Sequence, residues 1–301
     1  MKPNEYLNKI LDYQTFDGED QELKDLRARR QDIDKKLRSY FSKSSPSIMW
    51  AGSMAKGTMI RDSYDGDMTC YFPKGESEAG ANLKEFYDNV EKALIEGYQV
   101  QRKASALRVR DPENWSTDLH IDVVPGRFTD ETKSDVFLHR TTPDKERLKT
   151  NLQTHVDHIK GSGAEDAIRL MKLWKVRNGL GTVKTFVLEL LVVKLLKAKK
   201  PSGLAVQLEY LWTELRDKAD SLTVEDPANS NNDLRGLLDE CRHLLSSAAG
   251  TTLRQIENNG WEAVYGEIDQ GDGGERVGRG AALKVAVASV ETPTRPYSFG
   301  R

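Results

Sequence analysis

Cysteine is scarce in this 301-residue chain. Cys70 and Cys241 are the only two, too few for a disulfide scaffold or a cysteine-rich zinc site. No run of 18 apolar residues occurs, which excludes a membrane-spanning helix, and the N-terminus MKPNEYLNKILDYQ has no apolar signal core. Charge of one sign is also missing: Lys+Arg 45 against Asp+Glu 47 leaves a net charge of -2. Without a global basic excess, stable nucleic-acid binding is not indicated. No internal repeat is visible. The five histidines, His120, His139, His155, His158 and His243, show no ligand spacing with carboxylates or cysteines nearby. His155 and His158, three apart, read as a helix surface. These absences lead us to expect a cytoplasmic protein in a reducing compartment, with no membrane partner.

A composition of 38% hydrophobic and 31% charged residues fits a globular chain with a strongly charged surface, and the length allows one large or two ordinary domains. Residues 19–41 carry Leu23, Leu26, Ile33, Leu37 and Phe41 at helical spacings, which predicts a long helix with one buried stripe. Its basic clusters are interleaved with acids and read as a solvated face. Lys74 to Gly80 reads as a loop, and a helix is expected over Asn82 to Glu96. Tyr98 to Arg110 alternates and reads as a strand, followed by a turn at Asp111-Pro112-Glu113-Asn114. Leu119 to Val124 reads as a strand closed by Pro125-Gly126.

From about residue 145 the pattern turns helical. Ala164 to Asn178 has a stripe of Ile168, Met171, Leu173 and Trp174, and Lys184 to Lys199 is apolar on most sides, as a central helix would be. Further helices are expected near 203–216 and 232–248, around the polar loop Glu225 to Asn232. Residues 269–280 read as a Gly-rich linker, and 281–290 fit a strand or a helix equally.

The chemistry concentrates in residues 48–72, IMWAGSMAKGTMIRDSYDGDMTCYF. Ile48 to Ala51 reads as a short buried strand, MAKGTMIR as a short helix, and Asp65 to Phe72 as a second strand. Side chains alternate along a strand, so Asp65 and Asp67 share a face. Glycine at 52 would let the backbone approach a phosphate, and the Ser53 hydroxyl and the first helical N–H groups would donate to it. An N-cap serine by itself is ordinary, and a lone D-x-D in a polar loop is more often a turn. Here the pair opens an apolar strand, follows Gly52-Ser53, and has a third strand aspartate, Asp122, downstream. An unpaired carboxylate in an apolar strand is costly, so Asp122 needs a cation or donors facing it. Three such carboxylates suit phosphoryl transfer with two divalent ions.

Gly52-Ser53, eleven residues, then Asp65-x-Asp67 resembles the signature of the DNA-polymerase-beta-like nucleotidyltransferases. Lys56-Gly57-Thr58 and Ile121-Asp122-Val123-Val124-Pro125 sharpen the match. Arg169-Leu170-Met171-Lys172-Leu173-Trp174, Lys184-Thr185-Phe186-x-x-Glu189 and the loop Asp226-Pro227-Ala228-Asn229 are similar to the branch that holds oligoadenylate synthase, cyclic GMP-AMP synthase and the bacterial cGAS/DncV-like nucleotidyltransferases. The resemblance spans about residues 20–245.

It implies a two-lobed α/β (α+β) enzyme: a catalytic lobe with a mixed sheet and the long N-terminal helix over residues 1–150, and a helical lobe over 151–301 closing the nucleotide cleft. It implies two Mg²⁺ or Mn²⁺ ions on Asp65, Asp67 and Asp122, with Asp122 also helping to deprotonate the acceptor hydroxyl. Gly52, Ser53, Lys172 and Thr185 would bind the triphosphate, and Phe186 would stack on the donor base in the place of an aromatic that is often tyrosine. Core packing competes for Phe186, and a solvated lysine and a helix-start threonine remain open for Lys172 and Thr185. The implied partners are nucleoside triphosphates, ATP among them, and an activating protein. The implied activity is synthesis of a cyclic di- or trinucleotide messenger with release of pyrophosphate, in bacterial antiphage signalling. The alternatives are a nucleotidyltransferase acting on tRNA or protein, and an inactive nucleotide-binding protein.

Overall fold

The computed structural model describes residues 1–268 except 112, 114–118, 142–145 and 200. The expected linker at 269–280 and the segment 281–290 lie outside the described residues, as do Pro112 and Asn114 of the expected turn. Helix α1 (Pro3–Gln14) starts on a proline, whose missing N–H would have had no helical partner there anyway. The long helix α2 (Gln21–Tyr40) buries Leu23, Leu26, Ile33 and Leu37, the stripe read from their spacing. A five-residue helix α3 (Gly52–Lys56) precedes strand β1 (Gly66–Phe72). Helix α4 (Leu83–Ile95) is capped by Asn82, whose side chain accepts from the Glu85 N–H.

Strands β2 (Gln99–Arg102), β3 (Leu107–Arg110), β4 (Ile121–Phe128), β5 (Val136–His139) and β6 (Arg147–Thr150) complete a six-stranded mixed sheet. β4 is its centre. On one side it pairs in parallel with β1. On the other it pairs antiparallel with β3 over residues 121–123 and with β5 over 126–128. The inner face of the sheet, with Met68, Cys70, Phe72, Ile121 and Val123, packs against Leu26, Ile33 and Leu37 of α2 and Phe86 and Val90 of α4.

The described residues after β6 are mainly helical: α5 (Leu152–Lys160), α6 (Glu165–Arg177), α7 (Thr185–Ala198), α8 (Leu204–Lys218), α9 (Arg235–Asp239), α10 (Arg242–Asn259) and α11 (Glu262–Tyr265). α7 buries nine side chains from Val187 to Leu196, which makes it the central helix. This second core also takes in Tyr6, Leu7, Ile10 and Leu11 of α1. The Tyr6 hydroxyl donates to the Gly266 carbonyl at 2.6 Å, so α1 closes on the C-terminal end of α11.

Several sequence expectations are corrected. Residues 48–51 form no strand; two isolated bridges, Ser47 to Tyr71 and Trp50 to Met68, tie this segment along β1. The short helix begins at Gly52 and stops at Gly57, whose φ of 71° lies in the left-handed region. Residues 98–110 are a hairpin, folded back at Lys103 to Ala106, where the Tyr87 hydroxyl donates to both carbonyls. β4 runs straight through Pro125-Gly126. Residue 125 falls between the stretches paired with β3 and β5, which suits a proline, as it has one less N–H to pair. A Cβ on Gly126 would lie 2.6 Å from Val136 Cγ1, so only glycine lets β5 approach this closely. The helix expected over 232–248 is two helices that break at Glu240-Cys241.

Candidate functional site

Strand register builds the site. In the parallel β1–β4 pair Asp67 stands opposite Asp122, and in the antiparallel β3–β4 pair Arg108 stands opposite the same residue. Asp67, Asp122 and Arg108 therefore form one row across three strands, on the face turned away from α2 and α4. Arg108 holds Asp122 through two hydrogen bonds, Nε to Oδ1 and a terminal nitrogen to Oδ2, both 2.9 Å. This is the counter-charge that Asp122 required. Asp65 lies one residue before β1, with His120 Nε2 3.3 Å from its Oδ2 and 4.0 Å from Asp122 Oδ1. Neither Arg108 nor His120 was singled out from sequence, because only strand pairing and register bring them to the carboxylates.

Gly52 sits against Asp67. Its φ is 54°, and a Cβ there would fall 1.7 Å from Asp67 Oδ2. The Ala51 N–H donates to the Asp67 carbonyl at 2.8 Å, fastening the start of α3 to β1. Ser53 follows in the first turn, partly exposed.

Charge is crowded here. Burial and the neighbouring Asp65 and Asp122 carboxylates push Asp67 up to about 7. Burial also acts to raise Asp65, but His120, Lys172 and Arg108 outweigh it and hold Asp65 below its ordinary value. Two hard carboxylate donors, one of them (Asp67) crowded by like charge, fit a divalent cation at Asp65 and Asp67. Among the described residues, no three His, Cys, Asp or Glu side chains stand close enough to share one ion. Asp122 is turned onto Arg108, and Asp65 stands beside His120.

The second lobe grips the loop that carries Gly52 and Ser53. Lys56 pairs with buried Glu189 of α7, and the Thr58 hydroxyl donates to the other Glu189 oxygen at 3.1 Å. Lys172 of α6 is 7% exposed and donates to the Thr58 carbonyl at 2.7 Å. Burial lowers its pKa, with Glu189 acting in the opposite direction. Its ammonium is thus directed at the loop backbone, not at open solvent. Lys175, one turn on, donates to the Thr185 hydroxyl at 3.1 Å. Burial and Lys184 lower its pKa, and Asp65 works against them. Lys175 was missed in the sequence because it looks like any lysine on a helix.

Phe186 does not present two open faces. One is stacked on His155, with ring centroids 5.1 Å apart and planes 5° from parallel, and its edges pack against the helical core. His155 is not a bare helix surface: its Nε2 lies 2.9 Å from Asp226 Oδ1. Asp226 also accepts from the Ala228 N–H and the Asn232 amide, and the Asn229 amide donates to the Lys149 carbonyl. The late polar loop is thereby tied to α5 and β6.

A mixed sheet with paired aspartates, a glycine-serine turn and a helical lobe closing on that turn define the nucleotidyltransferase fold. In particular, the chain has the fold of the bacterial cGAS/DncV-like nucleotidyltransferases, the CD-NTases. It is similar to CdnC of E. coli MS115-1 in its complex with HORMA-deltaN, with a TM-score of 0.65 and 21% identity over 88% of this chain and 97% of that one. It is similar to the CD-NTase CdnG of Bradyrhizobium diazoefficiens in complex with GTP, with a TM-score of 0.65 and 14% identity over 88% and 95%. The cyclic AMP-GMP synthase DncV of Vibrio cholerae, solved with the linear intermediate pppA(3′,5′)pG, gives a TM-score of 0.57 and 14% identity over 87% and 82%. No protein-family model matches the sequence, and no curated protein matches it. Among the described residues no helix is long and apolar enough to cross a membrane.

Proposed function

We propose that this chain is a metal-dependent nucleotidyltransferase that joins nucleoside triphosphates, ATP among them, into a cyclic di- or trinucleotide messenger and releases pyrophosphate. One observation carries the reading: Gly52 packs directly on Asp67 while Asp67 stands in register with Asp122. A phosphate-approaching turn and two carboxylates thereby meet at one point. The fold shared with cyclic dinucleotide synthases supports it.

In this reading Asp65, Asp67 and Asp122 hold Mg²⁺ or Mn²⁺. Bound there, divalent ions would supply Lewis-acid stabilisation of the charge that develops on the α-phosphate and on pyrophosphate. Ser53 and the backbone after Gly52 orient the donor triphosphate. Lys175 and Thr185 meet it from the second lobe, and Lys172 adds charge from beneath the loop it holds. Phe186, backed by His155 on one face, offers its other face to the donor base. A ribose hydroxyl of the acceptor attacks the α-phosphorus, the bond to the bridging oxygen breaks, pyrophosphate leaves, and Asp122 receives the hydroxyl proton. Repeating the step within the linear product closes a ring.

CdnC is known in complex with HORMA-deltaN, and a protein activator for this chain follows by analogy. A role in antiphage signalling in the bacterial cytoplasm, which the resemblance read from the sequence implies, belongs to the same proposal.

Purified protein is incubated with Mg²⁺ or Mn²⁺ and the four nucleoside triphosphates, then with phosphatase, and the products are identified by mass spectrometry. A ring has no terminal phosphate and survives. Linear products alone, or label transferred only to added tRNA or protein, would overturn the cyclic-messenger reading.

A further inference from the structure

Both oxygens of Asp122 are engaged by Arg108, from a strand whose register delivers the guanidinium in the same cross-strand row as the carboxylates. A bidentate arginine on a carboxylate is among the stronger charge-assisted contacts and is geometrically selective. It is also partly open: the Arg108 side chain is 22% exposed and that of Asp122 17%. The pair is therefore not sealed in the core, and its members can separate into solvent without leaving a charge stranded in apolar surroundings.

The neighbouring row has a second guanidinium. Arg110, two residues along β3, shares the face of Arg108, and its buried Nε has no hydrogen-bond partner among the described residues. Gln99 and Gln101 of the exposed edge strand β2 stand opposite Arg110 and Arg108. Arg108 thus has polar neighbours on the side away from Asp122, where it can turn.

Meanwhile, among the described residues, Asp65 and Asp67 have no such bidentate cation, and the three carboxylates do not converge. Arg108 and an ion that needs Asp122 would occupy the same oxygens. We propose that Arg108 is a displaceable counter-ion for Asp122, which withholds this third carboxylate from a divalent cation until the arginine turns away. This rests on the reading of Asp65, Asp67 and Asp122 as a cation site, and it adds regulation to that site. In the resting protein Asp65 and Asp67 provide the accessible cation position, and Asp122 joins only when Arg108 yields.

The opposite role has an opposite signature. A partner that merely orients a ligating carboxylate supports binding, and its removal weakens metal affinity by about 10–100-fold. Removal of a competitor strengthens it. Mn²⁺ binding to the full chain, without nucleotide, is measured by the loss of the free-ion signal in electron paramagnetic resonance. Arg108→Met, which keeps the length and apolar stem, is expected to bind Mn²⁺ about tenfold more tightly than wild type, the scale of effect seen for partners one shell removed. Arg108→Lys, which keeps the charge but loses the fork, is expected to fall between them. Asp122→Asn in the Arg108→Met background is expected to return affinity to the wild-type level. Circular dichroism and melting curves establish that each variant is folded, and should Arg108→Met fail to fold, Arg108→Lys is compared with wild type alone. Equal or weaker binding in the folded arginine variants would overturn the proposal. A gain that persists in the double variant would overturn it as well, because the gain would not act through Asp122. Asp67→Asn tests the underlying reading separately: wild-type Mn²⁺ affinity in that variant would sink the cation site itself, whatever Arg108 does.

Discussion

A Cβ on Gly52 would lie 1.7 Å from Asp67 Oδ2, so the small residue of the turn and the carboxylate of the strand occupy mutually exclusive volumes. The φ of 54° at Gly52 adds a backbone reason to the steric one. Gly52→Ala is expected to destabilise the protein by about 1–3 kcal/mol from strain alone and to abolish turnover by displacing Asp67. Thermal melting and product formation measure the two effects. A variant with wild-type turnover would show that Gly52 has no part in setting the site.

Replacing both Asp65 and Asp67 by Asn is expected to remove pyrophosphate release without unfolding the chain. The two carboxylates and Asp122 repel one another, so at neutral pH and without divalent ions the double variant should melt no lower than wild type. Mg²⁺ is expected to raise the melting temperature of wild type and leave that of the variant unchanged. Retained pyrophosphate release in the folded variant would remove both residues from the chemistry.

Glu189 joins the lobes by accepting from Lys56 and Thr58, at 1% exposure. Glu189→Ala leaves the largely buried Lys56 ammonium without its partner, which is expected to cost about 3–5 kcal/mol. Lys172→Ala frees the Thr58 carbonyl and removes a charge near the aspartates. It is expected to weaken binding of a non-hydrolysable triphosphate by about 1.5–3 kcal/mol. Denaturant unfolding and nucleotide titration read these out, and equal nucleotide affinity in Lys172→Ala would assign Lys172 a purely structural role.

Asp226 offers a pH test away from the carboxylate cluster. Burial acts to raise its pKa, but hydrogen bonds from His155, Asn232 and the Ala228 N–H prevail and hold it below the ordinary value. A carboxyl depressed in the folded state binds fewer protons there than when unfolded. Its contribution is therefore fully present above the unfolded pKa of about 4 and is lost as pH falls through the lower folded value. Asp226→Asn is expected to lower stability at neutral pH and to flatten this acid limb of the stability profile. An unchanged limb in denaturant unfolding between about pH 5 and pH 2 would exclude the assignment.

Period and local chemistry were enough for the elements that bury one stripe. α2, α4 and α6 fall where their apolar spacings put them, α7 where its run is apolar on most sides, and Gly52-Ser53, Asp65, Asp67 and Asp122 stand out because their residue types and order are themselves unusual. The breaks were not legible. The turn at Lys103 to Ala106 depends on Tyr87 of another helix reaching its carbonyls, and β4 continues past Pro125-Gly126 because of where β3 ends and β5 begins. Nor was the company the aspartates keep. Arg108 meets Asp122 through strand register, His120 meets Asp65 from the residue before β4, and Lys56 meets Glu189 at a separation of 133 residues. Spacing along one chain determines which residues share a face; which faces meet, and so which charge neutralises which, is decided only when strands pair and the two cores close.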